Sequence, residues 1–247
     1  MSKKLITACL GVLALAAFAL PAVASASPVI THPTGTVLGT GKTITGTNIG
    51  NAILTTDPTS GSPSPLSECT TVKVTGTLVK NSGTAIEGNI TTATFSGSGS
   101  AYTGMNECLG FFGLGNLTPT TNGTDPVNTK MEPGSNEDVA GGTPWCLRSA
   151  ANDKVELTGG TCGTEPVPVT FILHSTGAGE CKFSKSSAVE GTFTTDSTGD
   201  AIVNFVGGAG TTFVKEAGGV LCPSAGTLDM SFTMETDTAA TEPIYIS

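Results

Sequence analysis

Six cysteines carry the clearest chemistry in this chain: Cys69, Cys108, Cys146, Cys162, Cys181 and Cys222. None lies in a C-x-x-C pair, and only His32 and His174 are present to complete a zinc site, so the spacing favours disulfides over metal ligation. The many possible pairings stay open at this level. Bonding in sequence order is the arrangement we favour: Cys69 to Cys108, Cys146 to Cys162, Cys181 to Cys222. The middle pair would close a predicted hairpin. Each outer pair would close a loop of roughly 40 residues, worth about 4 kcal/mol in chain entropy.

Other candidate groups are weaker. Gly39-Thr40-Gly41-Lys42-Thr43 resembles the end of a phosphate-binding loop, but Thr36 stands where the first glycine is needed and a strand follows in place of a helix. We read it as a turn into a strand. Ser98 lies in Ser96-Gly97-Ser98-Gly99-Ser100, outside any G-x-S-x-G pentapeptide. His174 could serve as a base, yet no partner is identifiable, so a surface or hydrogen-bonded histidine is expected. Asp196-Ser197-Thr198-Gly199-Asp200 is an acidic turn without the ligand spacing of a calcium loop. Two distant carboxylates could meet for glycoside hydrolysis, but no pair is singled out. Asn89, Asn116 and Asn122 head sequons, and a Thr-rich chain supplies such triplets by chance. No catalytic residue, cofactor or metal follows from these motifs.

The cysteines imply an oxidising compartment, and residues 1–26 agree. Lys3 and Lys4 precede an apolar run from Leu5 to Leu20, Pro21 breaks it, and Ala22-Val23-Ala24 and Ala24-Ser25-Ala26 follow. A basic start, an apolar core and small residues in A-x-A spacing describe a signal peptide. Loss of Lys3 and Lys4 takes the net charge from −9 to −11. That sign disfavours nucleic acid and anionic membrane surfaces. A secreted protein with no membrane span after cleavage is expected. Thr241–Ser247 has no apolar tail, so covalent surface attachment is not expected.

Elements able to hold the cysteines must be strands. Val72, Val74, Gly76 and Leu78 alternate with Lys73, Thr75 and Thr77. Met230, Phe232 and Met234 alternate with Asp229, Ser231, Thr233 and Glu235, and Val167, Val169, Phe171 and Leu173 form a third such set. A two-residue apolar period predicts half-buried strands. Further strands are predicted near 42–47, 51–56, 86–90, 145–149, 153–157, 187–194, 200–206, 211–216 and 243–246. Beyond the leader no window shows helical periodicity. The expected fold is all-β: an antiparallel, Ig-like β-sandwich, disulfide-linked, as one large or two tandem units.

The expected organisation is a signal peptide at 1–26, one sandwich region at 27–125, a loop or linker at 126–143 and a second region at 144–247. Residues 57–67 are also predicted as a loop. Glu68-Cys69 before Gly76-Thr77-Leu78 parallels Glu180-Cys181 before Gly191-Thr192-Phe193, which raises the idea of a duplicated unit beside chance recurrence. Cys108 to Leu114 is the most apolar stretch after the leader and is predicted to be core. Trp145, next to Cys146, is expected to pack against a disulfide.

The segments Val74-Thr75-Gly76-Thr77-Leu78, Glu87-Gly88-Asn89-Ile90, Pro144-Trp145-Cys146-Leu147-Arg148, and Gly226 to Thr233 through Pro243-Ile244-Tyr245 resemble a group of uncharacterised exported Thr/Gly-rich β proteins of actinobacteria. The resemblance covers most of the mature chain. It implies secretion and a β-rich fold, and carries no activity or site. The functional expectation is a secreted, non-enzymatic protein acting at or near the cell surface, by binding or as envelope material, with cell-wall or glycan material as the partner class. Two alternatives are a secreted hydrolase with a carboxylate site, and a carrier of an apolar small molecule using Phe111–Phe112 and a cavity between sheets.

Overall fold

A computed structural model describes residues 28–56, 65–97, 108–110, 128–133, 143–151, 153–175, 179–236 and 242–246. The strands are β1 (Ile30–Thr31), β2 (Thr43–Asn48), β3 (Ala52–Thr56), β4 (Pro65–Cys69), β5 (Thr71–Ser82), β6 (Ala85–Ser96), β7 (Cys108–Gly110), β8 (Asn128–Pro133) and β9 (Trp145–Ser149). They continue as β10 (Lys154–Gly159), β11 (Val169–Ser175), β12 (Gly179–Lys185), β13 (Val189–Thr195), β14 (Ala201–Phe205), β15 (Thr212–Gly218), β16 (Ala225–Thr236), β17 (Glu242–Pro243) and β18 (Tyr245–Ile246).

The all-β, antiparallel, disulfide-linked expectation holds. The sheets, however, close into a barrel where the alternation pattern led us to expect a sandwich. The order β2–β5–β6–β9–β10–β13–β14–β16 returns to β2, giving a closed eight-stranded antiparallel barrel. The outer strands follow the same logic. The pairings β3–β4–β7–β8–β11–β12–β15–β16 return to β3. Residues 225–229 of β16 serve this second ring, and residues 230–236 serve the first.

The chain therefore makes eight passes, each contributing to both rings: β2 with β3, β4 with β5, β6 with β7, β8 with β9, β10 with β11, β12 with β13, β14 with β15, and β16 alone. Passes adjacent in sequence are adjacent in both rings, which is an up-and-down meander. Alternation cannot distinguish this from a sandwich, because an inward face looks the same in either. Closure comes from the long-range registers Thr233 with Thr47 and Asp229 with Ile53. A closed barrel leaves no unpaired sheet edge, which open sandwiches must protect.

Alternation sorts the side chains as it should. Val72, Val74 and Leu78 point inward and are buried, while Thr71 and Lys73 are exposed. Met230, Phe232, Val203, Phe205, Val155 and Leu157 fill the first ring, and Leu54, Phe171, Phe183, Phe213 and Leu228 fill the second. The two interiors merge into one apolar cluster. Where they meet, Phe171 takes edge contacts from Phe95, Trp145 and Phe213 at centroid distances of 5.7, 5.5 and 5.2 Å. Among the described residues, the exposed strand positions carry mostly Thr and charged side chains, with Val79 and Val214 as exposed apolar exceptions. Among the described residues, no helix is long and apolar enough to cross a membrane.

Two local expectations are corrected. Asn128–Pro133, inside the segment read as a loop or linker, is a strand bonded to β7 and β11. Pairing on both sides satisfies a backbone whose residue types give no alternation signal. Pro65–Ser67, read as loop, likewise pairs with β3 as part of β4. Trp145 turns inward to the aromatic junction, where it meets Phe171, while its strand neighbour Cys146 faces the other side of the pleat.

Candidate functional site

Each disulfide joins neighbouring passes of the meander. Cys69 on β4 bonds Cys108 on β7, Cys146 on β9 bonds Cys162 in the turn after β10, and Cys181 on β12 bonds Cys222 in the turn after β15. Sequence-adjacent cysteines meet because sequence-adjacent passes are spatial neighbours. The bridges brace the rings; their sulfurs line neither cavity described below.

Among the described residues, the other candidate groups face outward and do not converge. His174 Nδ1 sits 3.7 Å from Glu180 Oε2, its cross-strand partner, and both side chains are substantially exposed. Arg148 and Glu156 form a cross-strand pair at 2.7 Å, and Lys182 lies 3.7 Å from Glu216. Asp196 closes its own turn: Oδ1 accepts hydrogen bonds from the Thr198 hydroxyl, the Thr198 N–H and the Asp200 N–H. Those bonds, the Thr198 hydroxyl foremost, hold its carboxyl below the usual aspartate range. Asn89 Oδ1 accepts the Cys162 N–H at 2.6 Å, which commits this sequon side chain to structure. Among the described residues, no three His, Cys, Asp or Glu side chains are grouped as metal ligands. Ser98, Phe111, Phe112, Asn116 and Asn122 lie outside the described residues.

What the fold does build is an apolar space inside the first barrel. A cavity of about 40 Å³ lies between β5, β6, β9 and β16. Ile30 and Ile244 roof it from the terminal segments. A second space of about 20 Å³ continues inward toward Trp145, Leu157 and Phe205. Val74, Ile90, Leu147 and Met234 line both. An eight-stranded barrel has an interior just wide enough for packed side chains or for one small guest, and apolar cavities stay dry.

The glycines of this barrel differ in a way that the sequence hides. A Cβ at Gly76 would stand 2.4 Å from the Asn89 carbonyl oxygen, and one at Gly191 would stand 2.3 Å from that of Asn204. At both, neighbouring backbone approaches too closely for any side chain. These are the glycines of the two Gly-Thr segments whose likeness suggested a duplication, and they share one role on opposite sides of the barrel. Gly88 is different. Its Cβ would meet only the Thr77 carbonyl oxygen, at an ordinary 3.7 Å, and Gly88 lines the larger cavity.

The roof is tied down by one side chain. Asn81, at the end of β5, accepts the Ile30 N–H at 2.9 Å and donates to the carbonyls of Ile30 and Leu38 at 2.7 and 2.9 Å. On the other side, the Ala201 N–H donates to the Ile244 carbonyl at 2.7 Å, and β1 pairs with β18. The sequence points to the strands that form these walls; its carrier alternative expects a cavity between sheets at Phe111–Phe112, which lie outside the described residues, whereas the space described here is inside the first barrel. Alternation marks which side chains face inward, not whether they fill the space. No protein-family model, curated protein or solved structure matches the chain.

Proposed function

We propose that this protein is exported and acts outside the cytoplasmic membrane, at or near the cell surface, as a non-enzymatic barrel protein that works by binding or as envelope material. The observation that carries this reading is the bracing of neighbouring passes by three disulfides, bonds that persist in oxidising compartments. The leader-like residues 1–26 support the same placement, as does the resemblance to exported Thr/Gly-rich proteins of actinobacteria. Among the described residues, no acid or histidine lines the cavity, and His174 pairs with Glu180 on an outer face, which supports binding over carboxylate hydrolysis.

Two measurements test the reading. Protein recovered from culture supernatant should begin after residue 26 and show no free thiols before reduction. Purified protein should be retained on isolated cell wall or its polysaccharides. A natural product that begins at Met1 inside the cell, or one that binds no envelope material, would overturn it. The specific observation of an apolar cavity favours a second reading, the carrier of an apolar small molecule.

A further inference from the structure

We propose that the N-terminal arm, residues 30–38, is a latch that shields the leader-processing site once it docks, so that the leader must be cut before the barrel mouth closes. This rests on the export reading and sets the order of its events. Three observations carry it.

The arm is added to the barrel and is not one of its staves. β1 pairs with β18 in a two-stranded sheet apart from both rings. Both rings close without it. Undocking the arm therefore breaks no strand pairing of either ring.

The hold on the arm is concentrated at one catch. The Asn81 amide meets it three times, at the Ile30 N–H and at the carbonyls of Ile30 and Leu38. Ile30 and Leu38 are buried, at 4% and 1% exposure. When docked, Ile30 lines the mouth beside Leu78 and Ile86.

The third observation is reach. The expected cut after Ala26 lies four residues before Ile30. Four residues span at most about 14 Å when fully extended. In the docked arm both backbone groups of Ile30 are bonded to Asn81. Only residues 27–29 then separate the cut from the barrel wall. A peptidase must hold extended chain on both sides of the bond it cuts, and the docked arm leaves it too little. Cleavage therefore draws on molecules whose arm is open, and its rate follows the population of that state.

The test uses the full chain of residues 1–247, folded in detergent with its bridges formed, and a signal peptidase. A reduced sample freshly diluted from denaturant supplies the unfolded reference. We expect the unfolded chain to be cut quickly and the folded native chain slowly. Asn81→Ala should be cut about tenfold faster than the folded native chain, the effect of one net hydrogen bond. Amide exchange of this variant should quicken across residues 30–38 and stay unchanged in β5 and β16, which separates a lost latch from general unfolding. Should Asn81→Ala not fold, Leu38→Ala serves, since it loosens the arm without touching the catch and should also quicken cleavage.

Equal cleavage of the folded and unfolded native chains overturns the proposal. So does a native rate in the variant that folds. These results leave the export reading standing, because the leader is still removed. An unfolded chain that is never cut sinks the export reading and the latch with it.

Discussion

The indole of Trp145 meets the ring of Phe171 edge-on, with centroids 5.5 Å apart and planes at 63°. Trp145 belongs to the first ring of strands and Phe171 to the second, so this contact joins the two interiors. Phe171 is fully buried and also touches Phe95 and Phe213. Phe171→Ala should cost about 3–5 kcal/mol, since it removes a large side chain from a site walled by other rings. Trp145 emission should be blue-shifted in the native protein and move to the red in this variant before global unfolding. An unshifted spectrum would show that the two rings do not share a core.

The bridge from Cys146 to Cys162 closes a loop with a sequence separation of 16. Replacing both by serine should destabilise the fold by about 3 kcal/mol on the chain-entropy estimate. Denaturant unfolding of the double variant against the native protein measures it. A midpoint unchanged within error would mean that the packed barrel, not the crosslink, fixes these two passes.

Gly76 and Gly88 make a matched pair, both inward-facing strand glycines of the same barrel. Gly76→Ala sets a methyl 2.4 Å from a backbone oxygen and should cost about 1–3 kcal/mol or more. Gly88→Ala meets nothing closer than 3.7 Å and should stabilise by about 0.5–1 kcal/mol. Thermal melts of the two variants should therefore move in opposite directions. Movement in the same direction would contradict the packing around Gly88.

Asp196 offers a pH signature. Its carboxylate is held by the Thr198 hydroxyl and by backbone donors, so its folded pKa lies below the ordinary 3.8. A carboxyl depressed in the folded state stabilises above its unfolded pKa, and that contribution disappears as pH falls through the folded value. An NMR titration of the Asp196 carboxyl should show the depression, and Thr198→Ala should raise the midpoint toward 3.8. Because the turn is exposed, the change in global stability should be small. A midpoint unaffected by Thr198→Ala would exclude the hydroxyl as the main cause.

Much of this molecule was open to reading residue by residue. The period-two runs at 72–78 and 230–234 are strands with the inward sets that the alternation assigns, because a pleated strand must present every second side chain to the core. The meander explains why bonding of the cysteines in sequence order is the geometry found: neighbours along the chain are neighbours in space. Asn128–Pro133 escaped notice because its place depends on partners at β7 and β11, not on its own residue types. The contact of Trp145 with Phe171 likewise depends on a partner from the other ring, which the residue's own neighbours in sequence do not reveal.

The sequence by itself determined that this protein is built of strands, where most of them run, and which residues could crosslink them. Local periodicity and residue chemistry suffice for that. Only the tertiary structure decided that the strands close on themselves, that Gly76 and Gly191 stand against backbone while Gly88 faces open space, and that the interior holds a cavity above Trp145. Those properties depend on the registers of β16 with β2 and β3, residues more than a hundred positions apart. Pairings over such separations are set by the fit of whole surfaces and leave no mark on either strand alone.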